Sequence, residues 1–144
     1  MPRVIIDDTG SHLPVGLAEV LAVRGRAEVE IITPRLFLGE DLLGSFEMTH
    51  LFPRIMRAGV KITAQHFVEK IEDRRADIYN VWGGKGHGIT EIDTIVLSMM
   101  RIPNDALFME IRNHFGAVHR VGDVVAPRKL AAVIYEGEEL GREL

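Results

Sequence analysis

The stretch from Arg3 to Arg24 constrains the fold more than any other part of the chain, because it joins a strand, a tight turn and a helix. Val4-Ile5-Ile6 is an unbroken β-branched run, which is typical of a buried parallel strand. Ser11 is a candidate N-cap and Gly25 a candidate stop for the helix between them. That helix carries an apolar stripe formed by Leu13, Leu17, Val20 and Leu21. Strand, turn and helix in this order predict the opening of a βαβ unit.

The turn of this unit, Asp7 to His12, departs from the G-x-G-x-x-G fingerprint of dinucleotide-binding folds. It has one glycine and an adjacent pair of carboxylates. Carboxylates beside a phosphate cost Coulomb energy that a helix N-terminus only partly offsets. We therefore predict a nucleotide-binding scaffold whose phosphate site is altered or lost. The residues that would still face a phosphate are Thr9, Gly10, Ser11 and His12.

Two of the polar residues near this turn also have simpler interpretations. His12 could replace a glycine amide as a phosphate contact, but a surface histidine is the simpler alternative. Glu28 to Thr33 is expected to be the second strand, and Thr33-Pro34-Arg35 lies at its end. A dinucleotide-binding fold would have an acidic residue here to bind the ribose 2′-hydroxyl. Arg35 could meet a phosphate, although an exposed loop arginine is again simpler. Asp7 and Asp8 are expected to shape the turn rather than to form a metal site, because neighbours on a strand point to opposite faces.

The middle of the chain changes from helical to alternating periodicity. Residues 36–44 are expected to form a loop, and Phe46 to Ala58 a helix interrupted by Pro53. Alternation within residues 60–89 then predicts an antiparallel meander. Its strands are Val60–Ala64, Phe67–Ile71 and Ala76–Trp82. The glycine-rich stretch at residues 83–86 predicts a hairpin rather than a phosphate loop, because no Ser or Thr follows its lysine.

The last third of the chain supplies the remaining elements of an α/β fold. Ile92 to Met99 reads as a central buried strand. A helix over Asp105 to Phe115, a short strand at Ala117 to Val121 and a closing helix after Pro127 follow. The fold class is therefore α/β, Rossmann-like, with a parallel sheet and an inserted antiparallel β-meander.

Composition excludes several classes of function. The net charge of −4 and dispersed basic residues argue against nucleic acid. No apolar run is long enough for a bilayer and no signal segment is evident, so a cytoplasmic protein is expected. The absence of cysteine excludes thiolate and iron–sulfur chemistry within this chain. The six histidines show no ligand spacing and no Ser/His/Asp arrangement is evident, so we predict neither a metal nor a catalytic residue.

Five ordered groups of segments resemble one family. The most specific strings are Ile78 to Gly83 and Gly122 to Arg128, which are similar to the amine dehydrogenase branch. The sequence resembles the C-terminal portion of the trimethylamine dehydrogenase, dimethylamine dehydrogenase and 2,4-dienoyl-CoA reductase (NADH:flavin oxidoreductase) family. The matching segments are 4–8 with 17–22, 31–34, 77–83, 91–97 with 101–103, and 121–128 with 131–144.

The resemblance implies a place for this chain in a larger architecture. Such proteins begin with an FMN-bearing barrel and a 4Fe-4S cluster, followed by two nucleotide-binding-like domains of the glutathione-reductase type. Residues 1–101 would be the NAD(P)-binding-like domain, and 102–144 the return segment of the FAD- or ADP-binding-like domain. The chain would then be a domain of a longer protein or a naturally separate subunit. Gly122 and Asp123 would be half of an FAD or ADP site.

The resemblance implies one principal function and one alternative. The principal expectation is a structural or electron-transfer-docking module that is inactive alone and packs on a flavin-bearing barrel domain or subunit. Electrons of the dehydrogenase branch leave through a flavoprotein acceptor, so NAD(P)H is not needed at the first turn. The alternative is an NAD(P)H-binding subunit that delivers hydride to a separate flavoprotein. A homo-oligomer, with exchange of residues 117–144, is expected to cover the apolar surface left by the missing half-domain.

Overall fold

A computed structural model describes residues 2–144, which divide into two compact units, residues 2–100 and 101–144. Within residues 2–100, the first unit contains seven strands and two α-helices. The strands are β1 (Pro2–Asp7), β2 (Glu28–Thr33), β3 (Lys61–Ala64), β4 (His66–Glu72), β5 (Arg75–Asn80), β6 (His87–Ile89) and β7 (Thr94–Ser98). The helices are α1 (His12–Val23) and α2 (Met48–Arg57), preceded by a 3₁₀ segment at Glu40–Ser45.

A four-stranded parallel sheet in the order β3-β2-β1-β7 forms the centre of the first unit. Alternate residues of β1 enter two separate cores, as the period of a strand requires. Ile5 packs with Val15 and Ala18 of α1 and with Ile55 of α2. Val4 and Ile6 belong to a second cluster that includes Ile78 of β5. Both faces of the sheet are therefore covered, which confirms the α/β, Rossmann-like fold class.

The antiparallel layer is a three-stranded sheet in the order β4-β5-β6. The hairpin predicted at the glycine-rich stretch is confirmed, since β5 and β6 pair across it. The segment Lys61–Ala64, expected to be antiparallel, instead pairs parallel with β2 and belongs to the larger sheet. Gln65, with φ of +59°, separates the two sheets. Alternation of apolar and polar residues predicts a half-exposed strand, but it does not determine which sheet the strand joins.

The predicted apolar stripe of α1 is wrong for two of its members. Leu13 and Val20 are 67% and 46% exposed, whereas Val15 and Ala18 are fully buried. Nearly every position of this helix is apolar, so spacing does not determine which face packs on the sheet. The last strand also differs from expectation, because β7 lies at an edge of the sheet and is only partly buried.

The second unit contains α3 (Ala106–Ile111), a 3₁₀ turn (Gly122–Val124) and α4 (Leu130–Glu143). The strand predicted at Ala117 to Val121 is absent, and the described part of this unit offers no other strand with which it could pair. Neither helix has a buried side chain among its residues. Among the helices of residues 2–144, none is long and apolar enough to cross a membrane.

Candidate functional site

The turn after β1 is organised by the side chain of Asp7. This residue ends the central strand and is completely buried. Its Oδ1 accepts hydrogen bonds from the Thr9 amide at 2.8 Å, the Thr9 hydroxyl at 2.8 Å and the Gly10 amide at 3.1 Å. An aspartate that bonds the backbone two and three residues ahead stabilises a tight turn. Asp7 thus has the turn-forming role expected from the sequence.

The backbone amide of Ser11 is also hydrogen-bonded to a side chain of the turn. The Ser11 amide donates to the Thr9 hydroxyl oxygen at 3.2 Å, and the two hydroxyls lie 2.8 Å apart. Ser11 is the N-cap residue of α1, although its side chain makes no capping hydrogen bond. A phosphate cradle relies on backbone amides that point at the ligand. Here the amides of Thr9, Gly10 and Ser11 point at side chains of the turn itself.

Gly10 connects the turn to the 3₁₀ segment that follows β2. Its φ of +65° lies in the left-handed region, which glycine adopts at little cost. The Gly10 carbonyl accepts a hydrogen bond from the Asp41 amide at 3.1 Å. A Cβ at Gly10 would lie 3.7 Å from the Glu40 amide nitrogen. The chain after β2 therefore lies directly against the turn.

Arg35 brings the carboxyl end of β2 to the same turn. Its Nη2 donates to the Asp8 carbonyl oxygen at 2.9 Å, and its Nη1 lies 4.0 Å from Glu40 Oε2. A Cβ at Gly10 would meet Arg35 Cγ at 3.6 Å. The side chain is only 38% exposed, so the simple expectation of an exposed loop arginine is not met. The guanidinium is instead a bridge between the two loops.

His12 lies on the outer side of the turn and pairs with a residue near the start of α2. Its Nδ1 is 2.7 Å from Glu47 Oε2, and the two side chains are 61% and 46% exposed. The hydrogen bond from His12, assisted by one from Ser45, lowers the pKa of Glu47 below its ordinary value. His12 thus joins the first turn of α1 to the residue that precedes α2.

Two buried oxygens at the ends of β1 and β7 have no hydrogen-bond partner among the described residues. They are Asp7 Oδ2 and Ser98 Oγ, and the two residues are paired in register across the strands. Sequence reasoning did not assign Ser98, Glu40 or Asp41 to the site. The available signal was that Ser98 ends β7 and that Glu40 and Asp41 follow β2, because the carboxyl ends of parallel strands share one edge of a sheet.

Gly122 and Asp123 lie in the second unit and are engaged by local partners. The Gly122 amide donates to Glu136 Oε2 at 2.8 Å, and a Cβ at this position would lie 2.8 Å from Val133 Cγ1. Asp123 Oδ1 accepts a long hydrogen bond of 3.4 Å from the Arg128 amide. Glycine here therefore permits close contact between the 3₁₀ turn and α4.

Metal-ligating side chains are not grouped in the part of the chain that the structure describes. No group of three or more His, Cys, Asp or Glu residues within 2–144 could hold a metal ion. The polar contacts around the first turn are instead hydrogen bonds and ion pairs that hold its loops together.

Comparison with known proteins gives consistent relatives, although no protein-family model matches the chain. It is 25% identical to dimethylamine dehydrogenase of Hyphomicrobium sp. (strain x), over 98% of this chain and 22% of that protein. It is also 25% identical to a probable N-methylproline demethylase of Rhizobium meliloti (strain 1021), over 98% of this chain and 25% of the relative.

A solved structure extends the likeness to the fold. Histamine dehydrogenase from Rhizobium sp. 4-9 superposes with a TM-score of 0.89 and 26% identity, over 99% of this chain and 23% of that one. The chain thus spans about a quarter of the length of these relatives. In sequence and fold, the chain is similar to the C-terminal domain of the trimethylamine dehydrogenase, dimethylamine dehydrogenase and 2,4-dienoyl-CoA reductase family.

Proposed function

We propose that this chain is a nucleotide-binding-like module of a flavin-dependent oxidoreductase of the amine dehydrogenase type, and that it carries out no chemistry itself. One observation supports this most strongly. The turn that would hold a dinucleotide pyrophosphate has its Thr9, Gly10 and Ser11 amides bonded to the Asp7 and Thr9 side chains. A phosphate would have to break these bonds and approach a buried carboxylate, which Coulomb repulsion opposes.

The proposed role of the module is to pack on a flavin-bearing barrel domain or subunit and to shape a surface for an electron acceptor. The lengths of the relatives, of which this chain spans 22% to 25%, are compatible with such a partner. FMN and a 4Fe-4S cluster would belong to that partner. Gly122 and Asp123 would contribute to an ADP or FAD site only together with residues outside this chain.

A second function is favoured by the position of Arg35. An NAD(P)H-binding subunit that delivers hydride to a separate flavoprotein would need a cation after β2 to meet the ribose 2′-phosphate of NADPH. Arg35 lies there, beside Gly10. Its hydrogen bond to the Asp8 carbonyl oxygen makes it less available for a ligand, so this function ranks second.

Isothermal titration calorimetry of the purified chain against ADP, NADH, NADPH and FAD separates the two functions. The module is expected to give no binding heat with any of the four. Saturable binding of NADPH, lost in Arg35→Ala but kept in Arg54→Ala, would establish the hydride-delivering subunit instead. Arg54 is a suitable control because its guanidinium pairs with Glu19 on the helical layer.

A further inference from the structure

We propose that the Asp7 carboxylate is the resident anion of the first turn, an intramolecular ligand that occupies the donors a phosphate would need and so determines that the turn excludes nucleotides. This inference deepens the proposed function and rests on it. It assigns the exclusion to a single side chain rather than to the lack of glycines in the turn.

The geometry resembles an anion-binding site with its ligand already bound. Two backbone amides and one hydroxyl, from Thr9 and Gly10, converge on one carboxylate oxygen within 3.1 Å. Successive backbone amides that point at one acceptor form a concave anion site. Hydrogen bonds to an ionised acceptor are also stronger than those between neutral groups.

The burial of Asp7 shows how much the turn depends on these donors. The residue is completely buried, and its second oxygen has no hydrogen-bond partner among the described residues. A buried carboxylate is costly unless hydrogen bonds compensate for lost hydration. The three donors on Oδ1 supply that compensation. A side chain fixed to the end of β1 is present at a high effective concentration, so a free phosphate competes poorly with it.

The test removes the tethered anion and offers a free one. Asp7→Ala leaves the three donors unpaired, so its melting temperature is expected to fall by roughly 5 °C or more. Sodium formate replaces the lost carboxylate, and it is expected to raise the melting temperature of Asp7→Ala above its value in sodium chloride of equal concentration. The wild type, in which the donors are occupied, is expected to melt at the same temperature in both salts.

Two further variants serve as controls for the charge and the position. Asp7→Asn keeps an acceptor oxygen for the donors and is expected not to respond to formate. Asp8→Ala removes the neighbouring carboxylate while Asp7 keeps its donors, and it too is expected not to respond.

Equal melting of Asp7→Ala in formate and chloride would overturn the inference. So would an Asp7→Ala protein that is unfolded in chloride and stays unfolded in formate, because the free anion should restore the turn. Titration of the wild type with ADP keeps the two proposals apart. Binding of ADP to the wild type would contradict the proposed function. If the wild type does not bind ADP and formate does not raise the melting temperature of Asp7→Ala, only this inference is contradicted.

Discussion

Single residues decide what the first turn can hold. Gly10 is the only glycine between β1 and α1, and its φ of +65° is the conformation that an L side chain resists. The Gly10 amide donates a hydrogen bond to the Asp7 carboxylate, and the Gly10 carbonyl accepts one from the Asp41 amide. Both backbone groups of the one flexible residue are therefore occupied.

Gly10→Ala is expected to cost about 1–2 kcal/mol in the free energy of unfolding, because a left-handed alanine is strained. The added methyl would find ordinary van der Waals distances of 3.6–3.7 Å, so strain rather than collision sets the cost. Urea denaturation measures the difference. Gly44→Ala is the matched control, since a Cβ there meets nothing within 4 Å and φ is not positive. Equal stability of the two variants would show that Gly10 does not adopt this conformation.

The pair of His12 and Glu47 predicts a pH dependence. Because the folded pKa of Glu47 lies below its unfolded value, this carboxylate stabilises the fold above the unfolded pKa and loses that effect as pH falls through the folded pKa. His12→Ala is expected to raise the Glu47 pKa toward its ordinary value. An NMR titration of the side-chain carboxyl carbon measures it. An unchanged Glu47 pKa in His12→Ala would mean that the hydrogen bond is absent in solution.

The antiparallel layer of β4, β5 and β6 is expected to contribute to the stability of the first unit. Ile78 of β5 is 1% exposed and clusters with Val4 and Ile6 of β1. Ile78→Ala is therefore expected to cost roughly 2–5 kcal/mol in chemical denaturation. Ile71→Ala, on β4 and 43% exposed, should cost less than about 1 kcal/mol. A loss for Ile78→Ala as small as that expected for Ile71→Ala would mean that the layer does not pack on the sheet.

Some elements could be predicted from the sequence because local pattern determines them. The β2 strand has the predicted bounds, Glu28–Thr33, since a β-branched run between polar breaks has few other conformations. The local sequence pattern did not predict elements whose formation depends on residues distant in sequence. The strand expected at Ala117 to Val121 has no pairing partner in the described part of its unit, and local sequence does not report that.

The site could be predicted only in outline for the same reason. The position of the turn and the role of Asp7 follow from strand, turn and helix spacing. The bond from Arg35 to the Asp8 carbonyl joins residues 27 positions apart in sequence, and no spacing rule reveals it. The assignment of Thr9, Gly10, Ser11, His12, Arg35, Gly122 and Asp123 to a cofactor site stays a prediction.

In the whole molecule, the second unit exposes a large apolar surface. Neither of its helices buries a side chain. Its large exposed apolar residues include Ile102, Leu107, Phe115, Leu130, Ile134 and Tyr135. A surface of this kind is unfavourable in water unless another chain or domain covers it.

We expect the isolated chain to form a homodimer in which residues 117–144 are exchanged between copies. Sedimentation velocity measures the mass in solution, and removal of residues 117–144 is expected to give a monomer. Ile134→Ser, which changes a 62% exposed apolar residue of α4, should weaken the dimer, whereas Glu139→Ser on the same helix should not. A monodisperse monomer of the full chain would contradict the exchange.

The amides of Thr9, Gly10 and Ser11 are already bonded to side chains of the turn, and we expect this turn to bind no nucleotide. The most direct measurement is an NMR titration of the ¹⁵N-labelled chain with NADPH, which follows the backbone amides of Thr9, Gly10 and Ser11. We predict that these three signals do not move at any NADPH concentration. Saturable shifts of the Thr9, Gly10 and Ser11 amides would instead show that the turn opens to bind the cofactor, contrary to this expectation.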